Sequence, residues 1–181
     1  MDFKKLKKVI EKDVRLKLEA SAGVTLFSNG SEKFENWLQV ELADALAREE
    51  GTRKKIIPEA LVKIGGSEYQ VDLLMENEWA IEVKVLNEED KKKASSETIE
   101  SLKNDILKLR EIKKGYSEKN IAMNTAVAYF VVPAGYENNY AIPEKILSGA
   151  FGTDDSAFAE EKRTFFFNDN SKKGAIYVRE V

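Results

Sequence analysis

The stretch VDLLMENEWAIEVKV, residues 71–85, decides the fold. Two mostly apolar runs flank Glu76 and Asn77, a pattern that predicts two antiparallel strands joined by a short turn. The first run carries Asp72 and the second carries Glu82 and Lys84. A buried strand tolerates carboxylates only where something compensates their charge. A divalent cation would compensate two of them, and an ammonium group beside such a cation points to hydrolytic chemistry.

Side chains alternate along a strand, so Trp79, Ile81, Val83 and Val85 share one face while Ala80, Glu82 and Lys84 share the other. Glu82 and Lys84 then sit ~6.6 Å apart along the strand. Antiparallel pairing about the turn can bring Asp72 to the face that carries Glu82. The same pattern also describes an ordinary solvated sheet with Glu and Lys facing water, and an acid followed by E-x-K is a short enough string to arise by chance.

Working outward, Gly65 and Gly66 separate ALVKI from YQVDLLM and suit a tight hairpin, so three consecutive antiparallel strands are expected. Downstream, Ile99, Leu102, Ile106 and Leu109 keep helical spacing in ETIESLKNDILKLREIKKG, and TAVAYFVVP is apolar throughout, as in a strand covered on both faces. A helix and then a strand after a meander imply a crossover onto a mixed sheet. Upstream, Phe3, Leu6, Ile10 and Val14 mark an amphipathic helix over residues 2–20, and Ser31 to Gly51 bound a second strong helix. In the last third, IPEKILSGAFG is expected to form a short helix, while RTFFF and AIYVREV are expected to pair as a closing hairpin.

One position in the second helix conflicts with its pattern. The apolar stripe runs Phe34, Trp37, Leu38 and Ala45, flanked by Leu42 and Leu46, and Glu41 falls at its centre. A carboxylate in a core-facing stripe marks a candidate functional residue, or else a glutamate at the stripe's edge paired with a lysine. Glu35 lies off the stripe and reads as surface.

The chain has 181 residues, 43% hydrophobic and 34% charged, which suits one globular domain over residues 1–181. No apolar run approaches the ~20 residues that cross a bilayer. Cysteine is absent, consistent with a cytoplasmic location. Histidine is absent too, which excludes Ser-His-Asp and Cys-His catalysis and imidazole-bound zinc. Any metal must be held by oxygen, which favours Mg²⁺, Mn²⁺ or Ca²⁺. The net charge of −3 argues against a protein that coats nucleic acid, though not against a local basic groove.

A helix with Glu41, a hairpin strand with Asp72, a strand with Glu82-Val83-Lys84, a helix and the apolar strand TAVAYFVV resemble, in that order, the PD-(D/E)xK or restriction-endonuclease-like nuclease superfamily. The resemblance covers roughly residues 31–132, with residues 133–181 an unassigned elaboration, and Val71 stands where the family's proline is usual. It implies an α/β fold with a mixed central sheet flanked by helices. By the same resemblance, Asp72 and Glu82 would bind Mg²⁺ or Mn²⁺ with the Val83 carbonyl, and Glu41 would be a further direct or water-mediated ligand. Lys84 would orient or deprotonate the attacking water, its ammonium form disfavoured beside the metal. The expected activity is phosphodiester hydrolysis, with DNA as the nucleic-acid partner; a homodimer or a partner subunit is left open. Three alternatives stand beside it at this point: an inactive domain of the same fold that binds nucleic acid or protein, an α/β interaction protein of unrelated fold, and an ordinary solvated sheet. Asp105 and Lys108 could support the site or belong to a solvated face, the basic run DKKKASS could approach a nucleic-acid backbone, and Tyr136, Tyr140 and Phe165 to Phe167 read as packing residues.

Overall fold

The computed structural model of the protein describes residues 1–20, 31–50, 55–86, 96–131, 141–152, 162–166 and 173–181. Its centre is a six-stranded mixed sheet of β1 (Ile56–Ile64), β2 (Ser67–Met75), β3 (Trp79–Leu86), β4 (Asn124–Val131), β5 (Arg163–Phe166) and β6 (Lys173–Glu180), in the order β1-β2-β3-β4-β6-β5. Gly65 and Gly66 turn the first hairpin with φ of 57° and 87°, a region that glycine enters at no steric penalty. Asn77 turns the second at φ 57°. The expected meander is therefore present, and β3 pairs in parallel with β4 from Trp79↔Asn124 to Leu86↔Val131. The remaining neighbours are antiparallel.

Helices cover both faces. On one lie α1 (Phe3–Val9), a π-helical turn (Ile10–Val14), α2 (Arg15–Ala20) and α3 (Ser31–Glu50). Their Leu6, Ile10, Phe34 and Leu38 pack on Leu73, Val83 and Phe130 of the sheet. On the other lie α4 (Ser96–Glu118), which makes the β3-to-β4 crossover, and α5 (Ala141–Phe151). There Leu102, Ile106, Leu109 and Leu147 meet Val127, Tyr129 and Tyr177. Burial on both faces explains why β3 and β4 read as near-continuous apolar runs.

The C-terminal third belongs to this sheet. β5 and β6 pair as expected, but β6 also inserts between β5 and β4, with Ala175 to Val178 buried. Across the β5–β6 ladder the buried ring of Phe165 fills the space over Gly174, where an added Cβ would stand 2.1 Å from it.

The N-terminal segment shows why its sequence needs a π-helical turn. Leu6, Ile10, Val14 and Leu18 are each 0% exposed, yet they recur every fourth residue. On a regular α-helix that spacing drifts by about 40° per step, because a turn takes 3.6 residues. The wider turn at Ile10–Val14 absorbs the drift and keeps the row facing the core. Among the described residues no helix is long and apolar enough to cross a membrane.

Candidate functional site

The sheet parts at Asp72. The β1–β2 ladder runs from Ile56↔Met75 to Ile64↔Ser67 but omits a Glu59↔Asp72 pair, and Glu59 holds a φ of 48°. The β2–β3 ladder stops at Leu73↔Ile81. Alternation slips by one residue at the same point: Leu73 and Met75 face the α1–α3 layer, whereas Val71 and Leu74 both face α4 and α5. Asp72 takes up the opening. Its Oδ2 accepts the Val83 N–H at 2.7 Å, in the place of a backbone acceptor from β2, and its Oδ1 accepts from Gln39 Nε2 of α3 at 3.0 Å.

Directly opposite in register, Glu82 points to the α4 side and is 3% exposed. Burial, then the charge of Asp72, push its carboxyl up to about 8, against the pull of Lys108. Lys108 Nζ lies 2.7 Å from Glu82 Oε1 and 3.6 Å from Asp105 Oδ1. Burial also raises the Asp72 carboxyl; the Val83 N–H and a hydrogen bond with Glu82 hold it down in part. The two carboxyl groups therefore act on each other across the parting strands.

Lys84 follows on β3, with Nζ 3.1 Å from Asp105 Oδ2 of α4. Burial alone would favour its neutral form, but Asp105, Glu35 and Glu82 outweigh it, so the lysine is held above its ordinary range. Among its carboxylate neighbours Lys84 is a firm cation. From the other layer Glu35 of α3 accepts the Val85 N–H at 3.2 Å. Its carboxyl is raised by burial and by Asp72 and Asp105, with Lys84 opposing.

Among the described residues, Glu35, Asp72, Glu82 and Asp105 thus face Lys84 and Lys108 as the cations of the network. Fully ionised, the group carries an excess of two negative charges. The raised carboxyls show the response available to the chain alone, which is to retain protons. One divalent cation would supply the same compensation without them. Among the described residues no three Asp, Glu, His or Cys side chains gather into a metal cage. The donor set fits a lighter arrangement: Asp72 and Glu82 offer hard oxygen ligands, and Mg²⁺ takes one or two carboxylates while keeping several waters.

Of the residues expected from the sequence, Asp72, Glu82, Val83 and Lys84 come together. Glu41 does not, and this is a correction. It forms an ion pair with Lys17 of α2, which also holds Asp44 at 2.8 Å. A single stripe has one centre, but α3 is buried on two sides, against α1 with the π-helical turn and against the sheet. Glu41 lies on the shoulder toward α2, whereas Glu35 and Gln39 lie on the shoulder toward β2 and β3. The missed signal was Gln39, a polar residue 6% exposed among leucines, with Glu35 one turn before it. Asp105 and Lys108 belong to the network and not to a solvated face. Phe165 is in the core and Phe166 is exposed, while Tyr136, Tyr140, Phe167 and residues 90–95 lie outside the described residues.

No protein-family model, curated protein or solved structure matches this chain.

Proposed function

We propose that the protein is a metal-dependent nuclease of restriction-endonuclease-like fold, hydrolysing phosphodiester bonds in DNA, with Mg²⁺ or Mn²⁺ as its cofactor. The observation that carries this reading is the pair of buried carboxyls, Asp72 and Glu82, both raised above their ordinary range at the parting of β2 and β3 with Lys84 beside them. The crossover from the E-x-K strand through α4 to an apolar parallel strand supports it, as does the acid contributed by the preceding helix, now Glu35.

In this reading Asp72 and Glu82 would hold the cation, which when bound polarises a phosphate oxygen and lowers the pKa of a water. The chain's own groups do the rest. Lys84, protonated and steered by Asp105, would hold a phosphate oxygen or the attacking water by donating hydrogen bonds. Glu35, whose carboxyl is raised by burial, lies on the α3 side of Lys84 and would take up a proton from that water. Gln39 and the Val83 N–H fix the Asp72 carboxylate so that its orientation does not depend on the ligand. Lys108 would release Glu82 to the cation and turn to Asp105, already 3.6 Å away.

Incubation of supercoiled plasmid DNA with Mg²⁺ or Mn²⁺ tests the reading. The wild-type protein should nick it, and folded Asp72→Asn and Lys84→Ala proteins should do so at least about 100-fold more slowly. Nicking that survives both substitutions, or none by the wild type with either metal, would count against it.

A second reading has an observation of its own. Both Asp72 oxygens are taken by protein donors, and Glu82 already faces an ammonium group. A catalytically inactive nuclease-fold domain that binds nucleic acid or protein would keep such a network only to fix the sheet between α3 and α4. It predicts no saturable metal binding.

A further inference from the structure

The N-terminal helical segment sorts its lysines into two sets. Lys5, Lys7 and Lys17 are paired, with Glu49 and Glu50, with Glu11, and with Glu41 and Asp44 respectively. Lys4, Lys8 and Lys12 are exposed, and among the described residues none of them enters an ion pair. They recur every fourth residue, as Leu6, Ile10, Val14 and Leu18 do on the buried side, so the π-helical turn that holds the apolar row in line also serves the lysine row. Like charges at this spacing repel by a few tenths of a kcal/mol per pair. The fold accepts that cost along a whole exposed edge.

The row forms one wall of an open groove whose other side reaches β5. Lys7 and Arg15 stand beside the row, and Arg163 of β5 closes the groove opposite. Among the described residues Glu11 is the one acid in its lining, and it is already engaged, 3.7 Å from Lys7 and 3.4 Å from Arg163 Nε. Half-buried between the two walls, it fixes a cation on each side of the groove. Arg15 is also 3.7 Å from Glu19. Six basic groups against one acid give this groove a charge of about +5 by formal count, on a chain whose net charge is −3. On the far side of the row a second groove sets Asp2, Asp13 and Glu49 against Lys4, Lys5, Lys8 and Lys12, so the larger basic excess lies on the β5 side.

We infer that this groove binds the phosphate backbone of a nucleic acid, at a surface separate from the carboxylate site. Successive lysines of the row stand roughly 6 Å apart along the helix axis, close to two nucleotide steps of about 3.4 Å along a duplex strand. A linear polyanion can therefore meet each lysine in turn. An anionic membrane fits less well: Leu6, Val9, Ile10, Val14 and Leu18 are 0–4% exposed and committed to the core, and Leu16 alone of the segment's large apolar side chains stands exposed, at 48%, too little apolar surface to hold a helix in a bilayer. The groove shares no residue with the Asp72 network. The sheet order sets β5 three strands from β3, about 14 Å of sheet width at usual strand spacing, a span that a polymer covers and a mononucleotide does not.

The test is binding of fluorescein-labelled random-sequence DNA, single-stranded and duplex, by fluorescence anisotropy in EDTA across a salt series. The protein is the full chain with Asp72→Asn, so that neither metal nor cleavage enters and failure of the nuclease reading leaves the result interpretable. Adding Lys4→Gln, Lys8→Gln and Lys12→Gln should weaken binding at least tenfold. It should also flatten the slope of log K against log salt by about 2.7, three phosphate contacts at about 0.9 each. Lys55→Gln, Lys114→Gln and Lys145→Gln together make the same change in net charge on other exposed positions and should leave both quantities unchanged. Circular dichroism confirms that each protein is folded. Equal loss in the two triple variants, no loss in the first, no DNA binding at all, or binding to phosphatidylserine vesicles in place of DNA would each overturn the inference.

Discussion

Replacing Glu82 by glutamine keeps the shape of a buried side chain and removes its titration, and the result should be a protein that is stabilised at alkaline pH only. In the folded chain this carboxyl titrates near 8, against an ordinary value of 4.5. The folded state therefore holds the proton more tightly than the unfolded state. The contribution of Glu82 to stability is complete below about pH 4.5, declines as pH rises, and is gone above about pH 8. A difference of about 3.5 units at about 1.36 kcal/mol each sets a ceiling of about 5 kcal/mol. Asp72 shares the proton, so the pair titrates together and part of the effect falls on its carboxyl. Lys108 also loses an ion-pair partner in the variant but has Asp105 in reach. The expected gain for Glu82→Gln over wild type is about 2–4 kcal/mol at pH 8.5 in EDTA, and near zero at pH 4.5. Urea unfolding at the two pH values measures it, and the comparison with wild type cancels the titrating groups that do not interact with Glu82. A variant less stable than wild type at pH 8.5 would mean that Glu82 is an ionised, satisfied partner of Lys108. The charge excess at the site would then be absent.

Glu35→Gln should lower metal-dependent nicking by at least about 10-fold, while Glu41→Gln leaves it unchanged and alters stability by no more than about 1 kcal/mol, since it removes only a partly exposed pair with Lys17; the plasmid assay and urea unfolding read the two effects. Gly115→Ala should destabilise the protein by about 1–3 kcal/mol despite alanine's better helix propensity, because its Cβ would come within 1.9 Å of Ile64 Cγ2. Trimming the neighbour with Ile64→Ala should make the Gly115 substitution neutral or better, a coupling that a double-mutant cycle measures.

The sheet was legible because its signals are local. Gly65-Gly66, Glu76-Asn77 and the apolar run of β4 each report on a few neighbouring residues, and each matches an observed turn or strand. Asp72, Glu82 and Lys84 were legible as a conflict between charge and a buried pattern. Their surroundings were not, because those depend on which helix shoulder meets which strand. Periodicity locates the buried arc of α3 but does not divide it between two packing partners, so Glu41 drew the attention that belonged to Glu35 and Gln39. Asp105 and Lys108 were hidden for the reverse reason: on a helix their charges look solvated, and only the neighbouring face of β3 makes them part of the network. The insertion of β6 between β4 and β5 is a long-range pairing for which the short apolar run Ala175 to Val178 carries no address.

A metal-dependent nuclease requires that the acidic network accept a divalent cation at Asp72 and Glu82. Calorimetric titration with Mn²⁺ at pH 7, repeated in two buffers of different ionisation enthalpy, measures both the ion and the proton it displaces. We predict one Mn²⁺ per chain with release of close to one proton, and loss of both signals in Asp72→Asn/Glu82→Gln. Heats that never saturate, or binding that is unchanged in the double variant, would contradict it.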